Sequence, residues 1–237
     1  EQLAQKKQQV EDIFIRQGNI KDFTISKIIP SKDIFYYRNK MEFTFSNNRW
    51  VLPDEPENVD KDFALGMHIP KRWDKILNID ECHIMPKIGT EILNKTQLLS
   101  KELQLKPYSQ KTHNGFLRYL ILRFGHFTGD ILVNIVTSYE NTDLLQPLVD
   151  GLKESFTEIT TIVNNINTRK GDTSFGEYEL HLFGKPTLQE KLGDINFEIS
   201  ANSFFQTNSS MAEQLYQTAL DIAELKGDEV LYDLYCG

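Results

Sequence analysis

Cysteine is scarce. Only Cys82 and Cys236 occur among 237 residues, too few for a disulfide framework. Long apolar runs are missing as well. The longest, such as 119–122 and 131–133, fall far short of the ~20 residues that a membrane span needs. Residues 1–9 are polar and contain no apolar signal core. The expectation is a cytoplasmic protein with no membrane partner. An excess of positive charge is also lacking: 26 Lys and Arg face 34 Asp and Glu, for a net charge of −8. That balance weighs against nucleic acid without excluding it, because binding depends on local patches.

What is present is ordinary for a globular chain: 40% hydrophobic and 25% charged residues. Two local clusters of cations stand out. Residues 101–126 hold Lys101, Lys106, Lys111, Arg118 and Arg123 against the single acid Glu102, and Arg38, Lys40 and Arg49 form a second group. Each reads either as a solvated face or as a phosphate-binding patch.

Hydrophobic periodicity predicts an α+β arrangement over residues 1–190. A helix is expected over 1–17, with Leu3, Val10, Ile13 and Phe14 on one stripe and Gly18 as its stop. Strands are expected over 23–29, 35–46 and 63–69. In the second, Met41, Phe43 and Phe45 alternate with Lys40, Glu42 and Thr44. The acidic stretch 51–61, with two prolines, is a loop. Helices over 87–105 (starting at Pro86) and 144–156 bracket two apolar strands, 117–124 and 131–137, joined by the hairpin "GHFTGD". Strands over 158–165 and 178–183 complete this part.

The pattern changes near Phe197. A short strand "FEIS" leads through "ANSFFQTN" into a helix. Ser210 and Glu213 predict a capping box, Met211, Leu215, Ala219 and Ile222 a buried stripe, and Gly227 the stop. A buried strand over 230–235 then runs into Gly237. Residues 191–237 therefore read as the opening helix and strand of a second, Rossmann-like domain in which a ligand lies over a glycine-rich turn.

"DLYCG" at 233–237 is a weak signal alone, since an Asp, an aromatic and a Gly close many α/β strands. "SFFQTN" is less usual. Phe204 or Phe205 can stack on a base, and Gln206 can read a base edge through its paired donor and acceptor. The alternative is that both rings are core and Gln206 caps a backbone group.

Taken together, "YYRNKMEF" (36–43), "LGMH" (65–68), "ECHI" (81–84), "FLRYLILRFGHFTGDILVNIVT" (116–137), "ISANSFFQTN" (199–208) and "DLYCG" (233–237) resemble the uracil-5 RNA methyltransferases, which make 5-methyluridine in ribosomal and transfer RNA. The most specific feature is the pair of last motifs, with Gln206 and Tyr235 29 residues apart. The ribosomal branch, acting on 23S rRNA, is the closer match, with tRNA as the alternative target. A non-catalytic RNA-binding module is the rival of another class. No DNA partner is expected.

The resemblance implies S-adenosylmethionine as cofactor. Gln206, Tyr235 and Gly237 would bind it, and Phe204 together with Gln206 would receive the target base. Asp233 would be structural, and Cys236 would pack in the cofactor motif without acting as nucleophile. Arg38, Lys40, Arg118 and Arg123 are the candidates for the RNA backbone. Cys82 matches the fourth ligand of an iron–sulfur cluster in cluster-bearing members; the other three ligands are not in these 237 residues, so it would be a ligand only in a longer protein. In the family a cysteine adds to carbon 6 of uracil and makes carbon 5 nucleophilic toward the methyl group, and a base then removes the carbon 5 proton. By the resemblance, that cysteine and base lie beyond Gly237, so the chain is expected to be an inactive fragment of the enzyme.

Overall fold

A computed structural model describes residues 1–234. Tyr235, Cys236 and Gly237, and the roles expected of them, lie outside the described residues. The chain divides into two compact units, Glu1–Ile34 and the part from Phe35 onward.

The first unit contains helix α1 (Gln2–Arg16), followed by irregular chain. Two pairs spaced four residues apart, Lys7–Glu11 at 3.8 Å and Arg16–Asp12 at 3.7 Å, run along the helix, and the Phe14 ring packs on Phe23 at 5.0 Å. The strand expected over 23–29 does not form. An extended segment needs a neighbour for its N–H and C=O groups, and this one has no ladder partner among the described residues.

The second unit is built on a seven-stranded sheet. Its strands are β1 (Lys40–Ser46), β2 (Ala64–Ile69), β3 (Arg72–Asn78), β4 (Leu117–Phe124), β5 (Ile131–Thr137), β6 (Thr161–Ile166) and β7 (Tyr178–Gly184). The order is β3-β2-β1-β4-β5-β6-β7. Every neighbouring pair is antiparallel except β5 and β6. A parallel pair requires a crossover, and helix α3 (Thr142–Ser155) supplies it. Helix α2 (Lys87–Glu102) and α3 cover one face. Met41, Phe43 and Phe45 of β1 meet Ile92 and Leu93 of α2 and Leu145, Leu148 and Leu152 of α3 in the main core. The two helices meet at Gly151, where an added Cβ would lie 2.8 Å from Leu99 Cδ1 and the Leu99 side chain would have to move.

The other face is covered in part. A hairpin of β8 (Leu188–Leu192) and β9 (Ile195–Ile199) lays Leu188 and Ile199 on Leu132 and Val163. β8 runs across residue 190. Every residue of β4 and β5 is buried, Leu132 under the hairpin and Tyr119, Ile121 and Val136 in a separate cluster, whereas the outer face of β1 stays open, with Lys40 and Thr44 half-buried and Glu42 exposed. Two strands escape the periodicity reading. β3 is an edge strand with one buried residue, Ile76, and β8 turns Glu190 inward between Leu188 and Leu192.

Helix α4 (Ser209–Ala223) forms, but not as expected. Asn208 caps it by accepting from Met211 N at 3.0 Å, and Glu213 instead accepts from Gly193 N across to the hairpin. The helix ends at Glu224, which adopts a left-handed conformation, before Gly227 is reached. Its buried residues are Ser209 and Ala212; the expected stripe of Leu215 and Ile222 is exposed. Residues 230–234 form no strand and their apolar side chains are exposed, because no neighbouring strand among the described residues offers a ladder. No helix among the described residues is long and apolar enough to cross a membrane.

Candidate functional site

The segment 200–208 leaves β9 and is tied to the sheet at several points. Asn39, just before β1, is buried. Its Nδ2 donates to Gln206 O and to Ser209 Oγ, each at 2.8 Å, and its backbone N–H donates to Thr207 O. Arg123 of β4 donates to Ser203 O. Asn202 donates to Asn165 Oδ1 at 2.9 Å, and Asn165 in turn to Asn134 Oδ1 at 3.0 Å. Ser209 Oγ donates to the buried Glu190 at 2.6 Å, and that carboxylate also accepts the backbone N–H groups of His126, Phe127 and Lys191. Buried polar groups joined in this way hold a loop in one conformation.

The two adjacent aromatics have opposite fates. Phe205 packs on Phe197 with ring centroids 5.5 Å apart. Phe204 is 84% exposed. It stands between two clefts and lines both. One, of about 480 Å³, is walled by Arg38, Lys40, Glu42 and Thr207. The other, of about 720 Å³, is walled by Gln206, Leu192, Phe197 and Tyr216. Clefts of this size suit small ligands or single nucleotides. Gln206 uses its backbone carbonyl to anchor the loop while its side chain is exposed on a cleft wall.

The structure thus brings Phe204 and Gln206 together, and Phe204 together with Arg38 and Lys40. It does not present Arg118 or Arg123 to a ligand. Arg118 is 1% exposed and spends its guanidinium on the carbonyls of Asn167 (2.7 Å), Arg169 and Gly171, stacked over Tyr108 at 4.4 Å. Arg123 is 3% exposed. Burial pulls its guanidinium down to about 10, opposed by the charge of Glu42, so it stays cationic at neutral pH. These two arginines hold the fold, and assigning them to an RNA backbone is corrected by their burial. Glu42 pairs with Lys40 at 2.6 Å and accepts from Ser174. Burial raises its carboxyl, but those two hydrogen bonds and the charges of Lys40 and Arg123 outweigh that, leaving it below the usual range.

Cys82 is half-buried against the main core, and its backbone N–H donates to Thr90 Oγ1. Among the described residues no group of three or more His, Cys, Asp or Glu is placed to hold a metal. One thiolate does not fit an iron–sulfur cluster, which takes four.

Asn39, Asn165 and Glu190 were not singled out by sequence. The signal for Asn39 and Glu190 was an inward position held by a polar residue. Asn39 falls in phase with Met41, Phe43 and Phe45, and Glu190 in phase with Leu188 and Leu192. A polar residue at an apolar phase needs a buried partner.

No family model matches the chain. Along its whole length it is similar to proteins named RNA methyltransferases. It is 39% identical to one from Porphyromonas gingivalis, covering 52% of that protein, and 37% identical to one from Chlorobaculum tepidum, covering 50%. One from Staphylococcus epidermidis is 32% identical, with 49% of its length covered. The chain spans about half the length of the curated relatives it matches. A more particular likeness is to the crystal structure of the Pyrococcus abyssi tRNA (uracil-54, C5)-methyltransferase in complex with S-adenosyl-L-homocysteine. It is 31% identical, with a TM-score of 0.63, over 82% of this chain and 42% of that one.

Proposed function

We propose that these residues are part of an S-adenosylmethionine-dependent methyltransferase that forms 5-methyluridine in RNA, with 23S rRNA as the target. The observation that carries this reading is the exposed Phe204 ring, held beside Gln206 on a loop that Asn39 and the Asn202–Asn165 contact make rigid. A ring kept out of the core at that cost in solvent exposure suits stacking on an unpaired base. The Gln206 amide beside it offers both a donor and an acceptor to a base edge or to the cofactor. Lys40 and Arg38, on the other side of Phe204, suit the flanking phosphates.

The cofactor, when bound, would supply the methyl group. Gln206 and the cleft it lines fit part of such a ligand; Tyr235 and Gly237 are proposed to complete that part. The described Cys82 lines neither cleft, so the nucleophile is proposed to belong to the half of the relatives that this chain does not span. On this reading residues 191–237 open the methyltransferase domain, the exposed apolar face of α4 packs against its remainder, and the 237 residues alone do not turn over. Transfer RNA is the second reading for the target, favoured by the name of the Pyrococcus neighbour.

The test incubates the gene product containing these residues with labelled S-adenosylmethionine and unmodified 23S rRNA or tRNA, then maps the label. The expected result is label on carbon 5 of a uridine in 23S rRNA and none from the 237 residues alone. Label in tRNA keeps the chemistry and changes the target. A folded gene product that labels neither RNA overturns the reading in favour of a non-catalytic RNA-binding module.

A further inference from the structure

Beyond the two clefts at Phe204, the open face of the sheet carries two more, and three of the four lie end to end. The first is the Lys40–Phe204 cleft. The second, about 350 Å³, is walled by Glu42, Thr44, His68, Tyr119, Asp172 and Phe175. The third, about 720 Å³, is walled by Thr44, Ser46, His68, Trp73, Gln110 and Lys111 among others. Glu42 lines the first and second, and Thr44 and His68 line the second and third. They are therefore segments of one groove that follows the outward side chains of β1, Lys40, Glu42, Thr44 and Ser46. At ~3.4 Å per residue the strand portion is ~20 Å long.

Each segment holds one large exposed aromatic ring: Phe204 at 84%, Phe175 at 52% and Trp73 at 70%. Single exposed rings are common, but three spaced along one groove form a stacking series. Between them stand groups that read base edges: the Thr44 hydroxyl and the His68 imidazole, 3.4 Å apart, and the Asp172 carboxylate, which accepts from Gln110 at 3.0 Å and from Tyr119. The charge pattern fits bases rather than phosphates at the centre. Glu42 and Asp172 lie there, while cations gather at the ends. Arg72 is held by Asp74 through two hydrogen bonds of 2.9 and 3.0 Å. Among the described residues, neither Arg38 at one end nor Lys111 at the other pairs with a carboxylate.

We propose that this groove is a track for single-stranded RNA, in which unpaired bases stack on Trp73, Phe175 and Phe204 in turn and lead a nucleotide to the Phe204–Gln206 cleft. The proposal rests on the RNA reading above and adds to it a site at the far end of the sheet, centred on Trp73. At the ~3.4 Å spacing of stacked nucleotides the strand portion holds about six. Binding would depend only weakly on salt, because two unpaired cations give a slope of log K against log salt of about −1.4 for a single strand.

The 237-residue chain is titrated with uridine-rich oligonucleotides of three and seven nucleotides. The protein has two tryptophans, so Trp50→Phe leaves Trp73 as the sole indole reporter. The seven-nucleotide strand is expected to bind about 25- to 100-fold tighter than the three-nucleotide one and to quench Trp73. Trp73→Ala and Phe175→Ala should each erase about five- to tenfold of that gain. Unchanged circular dichroism and unfolding midpoint would confirm that these exposed sites leave the fold intact. If the short strand binds and Phe204→Ala weakens it, yet length and Trp73 make no difference, the track is overturned while the RNA reading stands. A duplex that binds tighter than the single strand, indifferent to Trp73→Ala, also overturns it. Failure of every oligonucleotide to bind overturns both.

Discussion

Strands β4 and β5 and the stretch from α4 to residue 234 are both rich in apolar residues, and their burial is opposite. Every residue of β4 and β5 is buried: α2 and α3 cover one side, and on the other the β8–β9 hairpin packs on Leu132 while Tyr119, Ile121 and Val136 form a cluster of their own. In α4 only Ser209 and Ala212 are buried; Ile222 is 78% exposed, and the apolar residues of 230–234 are exposed too. The difference teaches that an apolar pattern states a demand for a partner. Whether it is met depends on what else packs there. Where it is met, each side chain is stabilised by roughly 25 cal/mol per Å² of apolar area removed from water.

The strongest way to test this contrast is Leu120→Ala, at a fully buried position of β4. It should lower unfolding stability by about 2–5 kcal/mol in urea denaturation, from lost transfer energy and the cavity left behind. A loss below 1 kcal/mol would mean that the core is less tightly packed than the structure shows.

Asn39 stands at the join between core and open face. Asn39→Ala removes two donated hydrogen bonds and leaves Gln206 O without its side-chain donor. The expected cost is about 1–3 kcal/mol, with faster amide exchange across residues 203–208. Equal stability loss with no change in that exchange would show that Asn39 supports the core but not the loop.

On the open face itself, Glu42 has a folded pKa below its ordinary value. A depressed carboxyl adds stability that is present above about pH 4.5 and is lost as the pH falls through the lower folded value. Acid unfolding of Glu42→Gln should therefore be flatter below pH 4.5 than that of the parent. Identical acid limbs would show that the Lys40 and Ser174 contacts contribute nothing in solution.

The smallest effect is expected from Leu220→Ala on the exposed face of α4. In the 237 residues it should change stability by no more than about 0.5 kcal/mol. In a gene product as long as the curated relatives, the proposed domain would cover this face, and the same change should then cost about 2 kcal/mol or more. An equally small effect in both would leave α4 unpartnered and count against that domain.

Much of the sheet was legible in the sequence because its burial is two-sided. β4 and β5 read as mainly apolar strands at their observed bounds, and the alternation of Met41, Phe43 and Phe45 marked the inward face of β1. The edge strand β3 was not legible, since a strand with one buried residue has almost no pattern to show. The expected strands over 23–29 and 230–235 carried the right residue types but no partner. At the site, the motif around Phe204 and Gln206 was visible, and the clusters holding Arg118 and Arg123 were visible as charge. Charge along a chain does not reveal which face a side chain takes, and both arginines point into the protein.

Local order is what the sequence alone determined: most helix and strand periods, the hairpin joining β4 and β5, and the neighbouring Phe204, Phe205 and Gln206. These depend on side chains a few residues apart, and their spacing is written in the chain. Only the tertiary structure decided that Phe205 packs and Phe204 does not, that Asn39 reaches across 167 residues to Gln206, and that Trp73, Phe175 and Phe204 share one groove. Each of these is set by contacts between segments distant in sequence, and such contacts exist only once the sheet has placed its strands side by side.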